Sequence, residues 1–274
     1  MLRCDAVFEG GGVKGIGLVG AAAAIEKAGY VFENIAGTSA GAIVGALLAA
    51  GYTGAELQEI MSALDYNKFK QEDLMDRFSF LGKALSIGIN YGVYKADYLE
   101  EWLYGLLLKK GKTLFKHIRS GDERELYRYR FQAIASDLTD RKLLVLPGAL
   151  RELGFDPDEF SIARAVRMSM SIPVFYEPLC LKDAAGREHV IVDGGLLSNY
   201  PVWLLDDGTN APPWPTFGFK FSSDARGGPN ETDNAPVNNI IDYAKALATT
   251  MLDAHDKYHV SVDRKSTRLN SSHT

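Results

Sequence analysis

The sequence has few cysteines, no long apolar run and no strong excess of one charge. Its 274 residues include two cysteines, Cys4 and Cys180, with no metal-type spacing between them. That offers no support for a disulfide scaffold or a cysteine zinc site, and suits a reducing compartment with both thiols as small core residues of apolar strands. The most apolar stretch, AIVGALLAAGY at 42–52, falls short of the about 20 residues needed to span a bilayer. The opening MLRCDAVFEGGG is expected to enter a strand at once, leaving no room for a signal peptide. The expectation is a cytoplasmic protein, with peripheral membrane contact left open. The net charge of −5, from 30 basic and 35 acidic residues, lacks the clustered Lys and Arg that nucleic acid demands. Membrane docking through apolar side chains needs no such patch. No D-x-D-x-D-G calcium loop occurs, and neither metal nor cofactor is expected.

What is present is a 46% hydrophobic chain, enough for one sizeable core. CDAVF (4–8) reads as a buried strand, VKGIGLVGAAAAIEKAG (13–29) as a helix stopped by Gly29, and ENIAGTSAG as a very short strand. AGAIVGALLAAG (40–51) reads as a second, buried helix. Strand, glycine loop, helix, strand, tight turn, helix is the pattern of an α/β domain with a mainly parallel central sheet flanked by helices. Thr53 with Glu56 and Asp97 with Glu100 each spell a capping box before a helix. Between them, residues 66–96 read either as a mobile cap or as an irregular packed connection. Further on come two strands around Thr139–Arg141, an amphipathic helix at 161–171, a hairpin at 179–195, the strand TFGFKF at 216–221 and a helix at 239–255.

Two motifs carry chemistry. FEGGGVKG places Gly10, Gly12 and Gly15 at G-x-G-x-x-G spacing, which brings backbone amides to a negative charge. GTSAG (37–41) has the form G-x-S-x-G after a short strand and before a buried helix. That context exposes the Ser39 hydroxyl on a sharp turn, with Gly37 and Gly41 avoiding clashes. A plain helix cap by Thr38 or Ser39 would not need glycine on both sides.

A serine nucleophile needs a base. Among the histidines, His117 lies in a charged loop, His189 begins a strand, His255 and His259 end the last helix, and His273 sits in an anomalous tail. An α/β-hydrolase triad would leave His255 or His259 in play. Yet that fold has several strands before its nucleophile, and Ser39 follows only the second, so surface or cap-side histidines are the default. The other candidate is Asp193 in VIVDGG, at the end of an apolar strand with Gly194 and Gly195 leaving room beside it. Partial burial would raise its pKa, and proton transfer in concert with attack avoids a free alkoxide.

GGGVKG, GTSAG and DGG in this order, together with YKADYLEEWL, IASDLT, RAVRMSMSIPVFYEP and VDGGLLSNYPVWLLD, resemble a bacterial patatin-like phospholipase over nearly all of residues 4–221. The resemblance implies a patatin-like three-layer α/β/α single domain and a lipid acyl hydrolase with a Ser–Asp dyad. In it Ser39 is the nucleophile, Asp193 the base, and the Gly11 and Gly12 amides the oxyanion hole. Lys14 stands where the family has Lys or Arg, either assisting the hole or bridging loop to helix. The implied partners are a lipid ester and a transient membrane or micelle surface. Phe69, Phe78, Phe80, Leu81, Tyr91, Met168, Met170, Val174 and Phe175 are candidates to line an acyl tunnel or rest on a membrane, with the core as the ordinary place for each.

A dinucleotide-binding protein is the alternative from another class, but it wants an acidic residue at the end of the second strand, and Glu33 lies at the wrong end. A non-catalytic lipid-binding domain is the other alternative. The last residues, DRKSTRLNSSHT (263–274), read as the translation of a short-read sequencing adapter. The expectation is a domain over 1–262, truncated at its C-terminal end, followed by an artefact or a disordered tail.

Overall fold

Four apolar strands, each leading to a buried or half-buried helix or turn, set the architecture of the chain. The computed structural model describes residues 1–64, 71–72, 92–205, 212–221 and 246, with the backbone alone at residues 13–14, 71–72 and 92–95. The strands are β1 (Leu2–Phe8), β2 (Tyr30–Thr38), β3 (Gln71–Glu72), β4 (Gly92–Lys95), β5 (Phe131–Asp137), β6 (Lys142–Leu146), β7 (Val174–Tyr176), β8 (Leu179–Lys182), β9 (Glu188–Asp193) and β10 (Thr216–Phe219). Seven form the central sheet in the order β10–β1–β2–β5–β9–β8, with β6 added to β5; β3, β4 and β7 form a small second sheet. The expected α/β fold is there, and its sheet is mixed. β10, β1, β2 and β5 run parallel, whereas β6 and β9 lie antiparallel to β5, and β8 antiparallel to β9.

The helices are α1 (Ile16–Lys27), α2 (Ala40–Ala49), α3 (Gly54–Ser62), α4 (Asp97–Lys109) and α5 (Ile162–Ser169). Every residue of α2 is buried, as befits a helix apolar all round. The main core joins α1–α5 to one sheet face, and alternation along β5 sends Phe131, Ala133 and Ala135 into it. Ile134 points instead to a smaller cluster with Val7, Ala36, Tyr127, Leu204 and Leu205 on the other face.

Several expectations need correction. β2 has nine residues rather than a short stub, because its polar positions find partners: Asn34 donates twice to Asp5 Oδ1, at 3.0 and 2.8 Å, and Glu33 pairs with Arg3 at 3.3 Å. Glu33 therefore lies inside the strand, still far from its C-terminal end. The Thr53–Glu56 capping box forms, but the Asp97–Glu100 box does not. The helix starts one residue early, so Asp97 lies in its first turn, where it meets the helix dipole rather than an orphan N–H. Cys4 is buried as expected; Cys180 is exposed, since β8 alternates buried Leu179 and Leu181 with outward residues. Of the segment at 66–96 only Gln71–Glu72 (β3), Gly92–Lys95 (β4) and Ala96 are described; the helix expected at 239–255, apart from Ala246, and the tail at 263–274 lie outside the described residues.

Candidate active site

The strand registers explain how residues far apart in sequence meet. β2 runs parallel to β5 and ends with Thr38 opposite Ile134. β9 runs the other way and ends with Asp193 opposite Ala135, the very next residue of β5. Because β6 occupies the opposite edge of β5 from Ala133 to Asp137, β2 and β9 share one edge and point at each other end to end. Where they meet, the chain leaves the sheet twice, at Ser39 and at Asp193.

Ser39 sits at φ 53° and ψ −122°, a conformation that costs a non-glycine residue on the order of 1–3 kcal/mol. Its side chain makes no cap bond to α2, so the hydroxyl is not consumed by the helix start. Its N–H donates to Ser169 Oγ at 3.0 Å. Gly41 lets the turn close, since a Cβ there would fall 2.3 Å from the Phe8 carbonyl oxygen. Gly41→Ala is accordingly expected to lower stability by about 1–3 kcal/mol or more, read as a fall in the chemical-denaturation midpoint.

Asp193 is 1% exposed. Its Oδ1 accepts the Gly195 N–H at 2.7 Å, and its own N–H donates to the Ser171 carbonyl at 2.8 Å. Oδ2 is buried and has no partner of ordinary hydrogen-bond geometry among the described residues. Burial pushes the carboxyl up to about 7, while the Gly195 N–H and the nearby Ser39 hydroxyl pull it down. The Ser39 hydroxyl thus lies close enough to the carboxylate to favour its charged form. Gly194 allows this approach: a Cβ there would fall 2.1 Å from the Ile134 carbonyl oxygen.

The glycine loop follows β1, the neighbour of β2. Gly10 donates its N–H to the Asn199 carbonyl at 3.0 Å and accepts from Asn199 Nδ2 at 3.1 Å. Gly11 lies against the Phe221 ring, and Gly12–Gly15 is one turn of 3-10 helix before α1. Gly15 faces Ala40 beside the elbow, and Gly37 faces the carbonyl of Gly41. The N–H groups of Gly11 and Gly12 meet no acceptor among the described residues. The side chain of Lys14 lies outside the described residues.

Other candidates fall elsewhere. Met168 and Met170 are buried in the main core, and Phe175 stacks edge-on against Tyr176. Phe69, Phe78, Phe80, Leu81, Tyr91, His255, His259 and His273 lie outside the described residues. His117 Nδ1 accepts the Leu114 N–H. His189 is buried rather than on the surface, because β9 turns it toward three carboxylates. Its Nδ1 is 2.7 Å from Asp137 Oδ2, its Nε2 3.4 Å from Asp183, and Asp140 lies at 3.8 Å. Asp137, Asp140 and His189 have the spacing of a metal site, with ligand atoms within 4.8 Å of one another. Arg187 and Lys142 already lie 2.6 and 3.7 Å from Asp140, so the group balances as an ion-pair cluster. Four residues along a strand separate His189 from Asp193, about 13 Å.

Three residues at this site escaped sequence reasoning as site residues: Ser169, Ser171 and Asn199. The first two stand in the quoted MSMS segment, where polar residues at a buried helix end were the available signal. Asn199 follows the DGG motif by four residues and had no signal of its own.

Residues 6–206 match the family model described as patatin-like phospholipase. The uncharacterized protein YqhO of Bacillus subtilis is 41% identical over 261 residues, covering 94% of this chain and 83% of that one. An uncharacterized NTE family protein of Mycobacterium tuberculosis is 28% identical over 200 residues, covering 73% of this chain and 27% of that one. Among solved structures, VipD from Legionella pneumophila gives a TM-score of 0.46 at 20% identity, over 72% of this chain and 47% of that one. The ExoU–SpcU complex of Pseudomonas aeruginosa gives 0.48 at 18% identity, over 97% and 52%. The chain thus spans about half the length of these two solved structures. Fold and elbow define an α/β protein with a G-x-S-x-G turn. The chain belongs to the patatin-like phospholipase family, and membership supports lipid ester hydrolysis. No helix among the described residues is long and apolar enough to cross a membrane.

Proposed function

We propose that the chain is a serine-dependent lipid acyl hydrolase, of phospholipase A, lysophospholipase or esterase type, acting through a Ser39–Asp193 dyad. The observation that carries this reading is the end-to-end meeting of β2 and β9, which sets a strained serine beside a buried carboxylate oxygen that has no hydrogen-bond partner among the described residues. Asp193 takes the Ser39 proton as Oγ attacks the ester carbonyl, giving a tetrahedral oxyanion. The Ser39 N–H is engaged by Ser169 and the Gly10 N–H by Asn199, which leaves the Gly11 and Gly12 amides, the pair implied by the family resemblance, to donate to the oxyanion. Collapse expels the alcohol, which takes the proton from Asp193. Asp193 then deprotonates water, which attacks the acyl-enzyme, and the fatty acid leaves as Oγ regains a proton. The substrate is presented by a membrane or micelle surface.

Product analysis on defined diacyl and monoacyl phospholipids, with Ser39→Ala as control, tests the reading. Fatty acid released only by the wild type is the expected result, and the acyl position lost names the bond. Because burial holds the Asp193 proton up to about pH 7, kcat/KM is expected to rise through about that pH as a single ionisation and stay high above it. Release by Ser39→Ala at the wild-type rate would exclude the dyad.

A further inference from the structure

We infer that Ser169 is a positioning residue for the nucleophile, and that the C-terminal end of α5 sets both members of the dyad from one rigid point. The inference rests on the Ser39–Asp193 reading. Its starting observation is the Ser39 N–H. At the elbow the chain leaves β2 with φ 53°, and this donor joins neither the β2–β5 ladder nor α2. Its partner is Ser169 Oγ at 3.0 Å, from a residue 130 positions away and fully buried. A donor buried here without that oxygen would have nothing to bond, and the turn would relax to find a partner.

Ser169 is the last residue of α5, so its Oγ is placed by a regular helix rather than by a loop. That helix is itself fixed at its start, where Ser161 Oγ accepts the Arg164 N–H at 3.3 Å. Two residues beyond Ser169, the Ser171 carbonyl accepts the Asp193 N–H at 2.8 Å. Ser171 is held in turn by Arg167: its hydroxyl donates to the Arg167 carbonyl at 2.9 Å and accepts from Nη1 at 3.0 Å. The buried Arg167 guanidinium also reaches the Glu177 carbonyl at 3.5 Å and lies 3.8 Å from Glu100 on α4. One helix end therefore contacts the backbone of Ser39 through Ser169 and the backbone of Asp193 through Ser171. The separation of Oγ and Oδ2 depends on that shared support. Ser169 touches no substrate: its bond is to the backbone of the elbow, on the nitrogen side of Ser39.

The test uses the full chain and a fluorophosphonate probe that phosphonylates an activated serine and expels fluoride. Wild type is expected to react at Ser39, and Ser39→Ala to remain unlabelled. Ser169→Ala is expected to slow phosphonylation and kcat together by roughly 10- to 100-fold, with KM and the pH midpoint of kcat/KM unchanged. Ser169→Thr retains the acceptor oxygen and is expected to recover most of the rate. A purely structural role would lower the unfolding temperature but leave the rate per folded molecule at wild-type level. Should Ser169→Ala fail to fold, Ser169→Cys fills the same space with a weaker acceptor and carries the same expectation. Wild-type phosphonylation by either folded variant would overturn the inference while leaving the dyad intact. A wild type inert at Ser39 would overturn the dyad reading and this inference with it.

Discussion

Ser39→Ala is expected to lower kcat for hydrolysis of a p-nitrophenyl acyl ester by roughly 10,000-fold or more, with folding preserved. The size follows from covalent catalysis: without Oγ no acyl-enzyme forms, and only the oxyanion donors remain to assist water. Asp193→Asn is expected to cost as much, for a different reason. An amide keeps the shape and the acceptor toward Gly195 but cannot take the hydroxyl proton. No described histidine stands in for it, since His117 is engaged by the Leu114 N–H and His189 is surrounded by Asp137, Asp140 and Asp183. The double variant separates a dyad from two independent effects. If the groups act as one unit, it loses no more than either single variant, whereas independent contributions would multiply. Near-wild-type turnover by Asp193→Asn would remove the carboxylate from the mechanism and point to a base outside the described residues.

Much of this site was legible in the sequence because its two motifs carry local physical signatures. GTSAG and VIVDGG each end an apolar strand and place glycine where a Cβ would strike backbone, at Gly41 and Gly194. Such constraints act within a few residues and leave a mark on composition. The α/β order was legible for the same reason, from apolar strands alternating with small-residue helices. The strand directions around β5 were not. Whether β9 runs parallel or antiparallel decides that Asp193 meets Ser39, and nothing in VIVDGG states its direction. Ser169 was invisible for a related reason, because its partner is 130 residues away and a serine at a helix end has many ordinary uses. Cys180 and His189 show the same limit on strands. Their exposure depends on which face of β8 and β9 meets the core, and His189 is buried only because Asp137, Asp140 and Asp183 receive it.

The substitution expected to remove activity at Asp193 is also expected to make the protein more stable above neutral pH. In the folded chain burial holds the carboxyl up to about 7, against 3.8 for the ordinary group. A raised folded pKa means the native state keeps a proton that the unfolded state has already lost. Its stabilising contribution is therefore full below about pH 4 and disappears as pH rises through 7. Three pK units correspond to about 4 kcal/mol, the approximate cost of burying this carboxylate in its charged form. Asn has no proton to lose, keeps the Gly195 bond through Oδ1, and turns its Nδ2 toward the Ser39 hydroxyl in place of Oδ2, which has no partner among the described residues. Chemical denaturation of wild type and Asp193→Asn at pH 4 and pH 8 measures the difference. The two are expected to agree within about 1 kcal/mol at pH 4, with the variant ahead by up to about 4 kcal/mol at pH 8. Taking the difference cancels His189, whose pKa, against the opposing effect of burial, is raised by the Asp137 and Asp183 carboxylates, and whose contribution fades with rising pH in both proteins. A pH-independent gap would mean that the carboxyl ionises normally in the fold. It would then be too weak a base for a serine hydroxyl, and the proposed chemistry would fall with the stability argument.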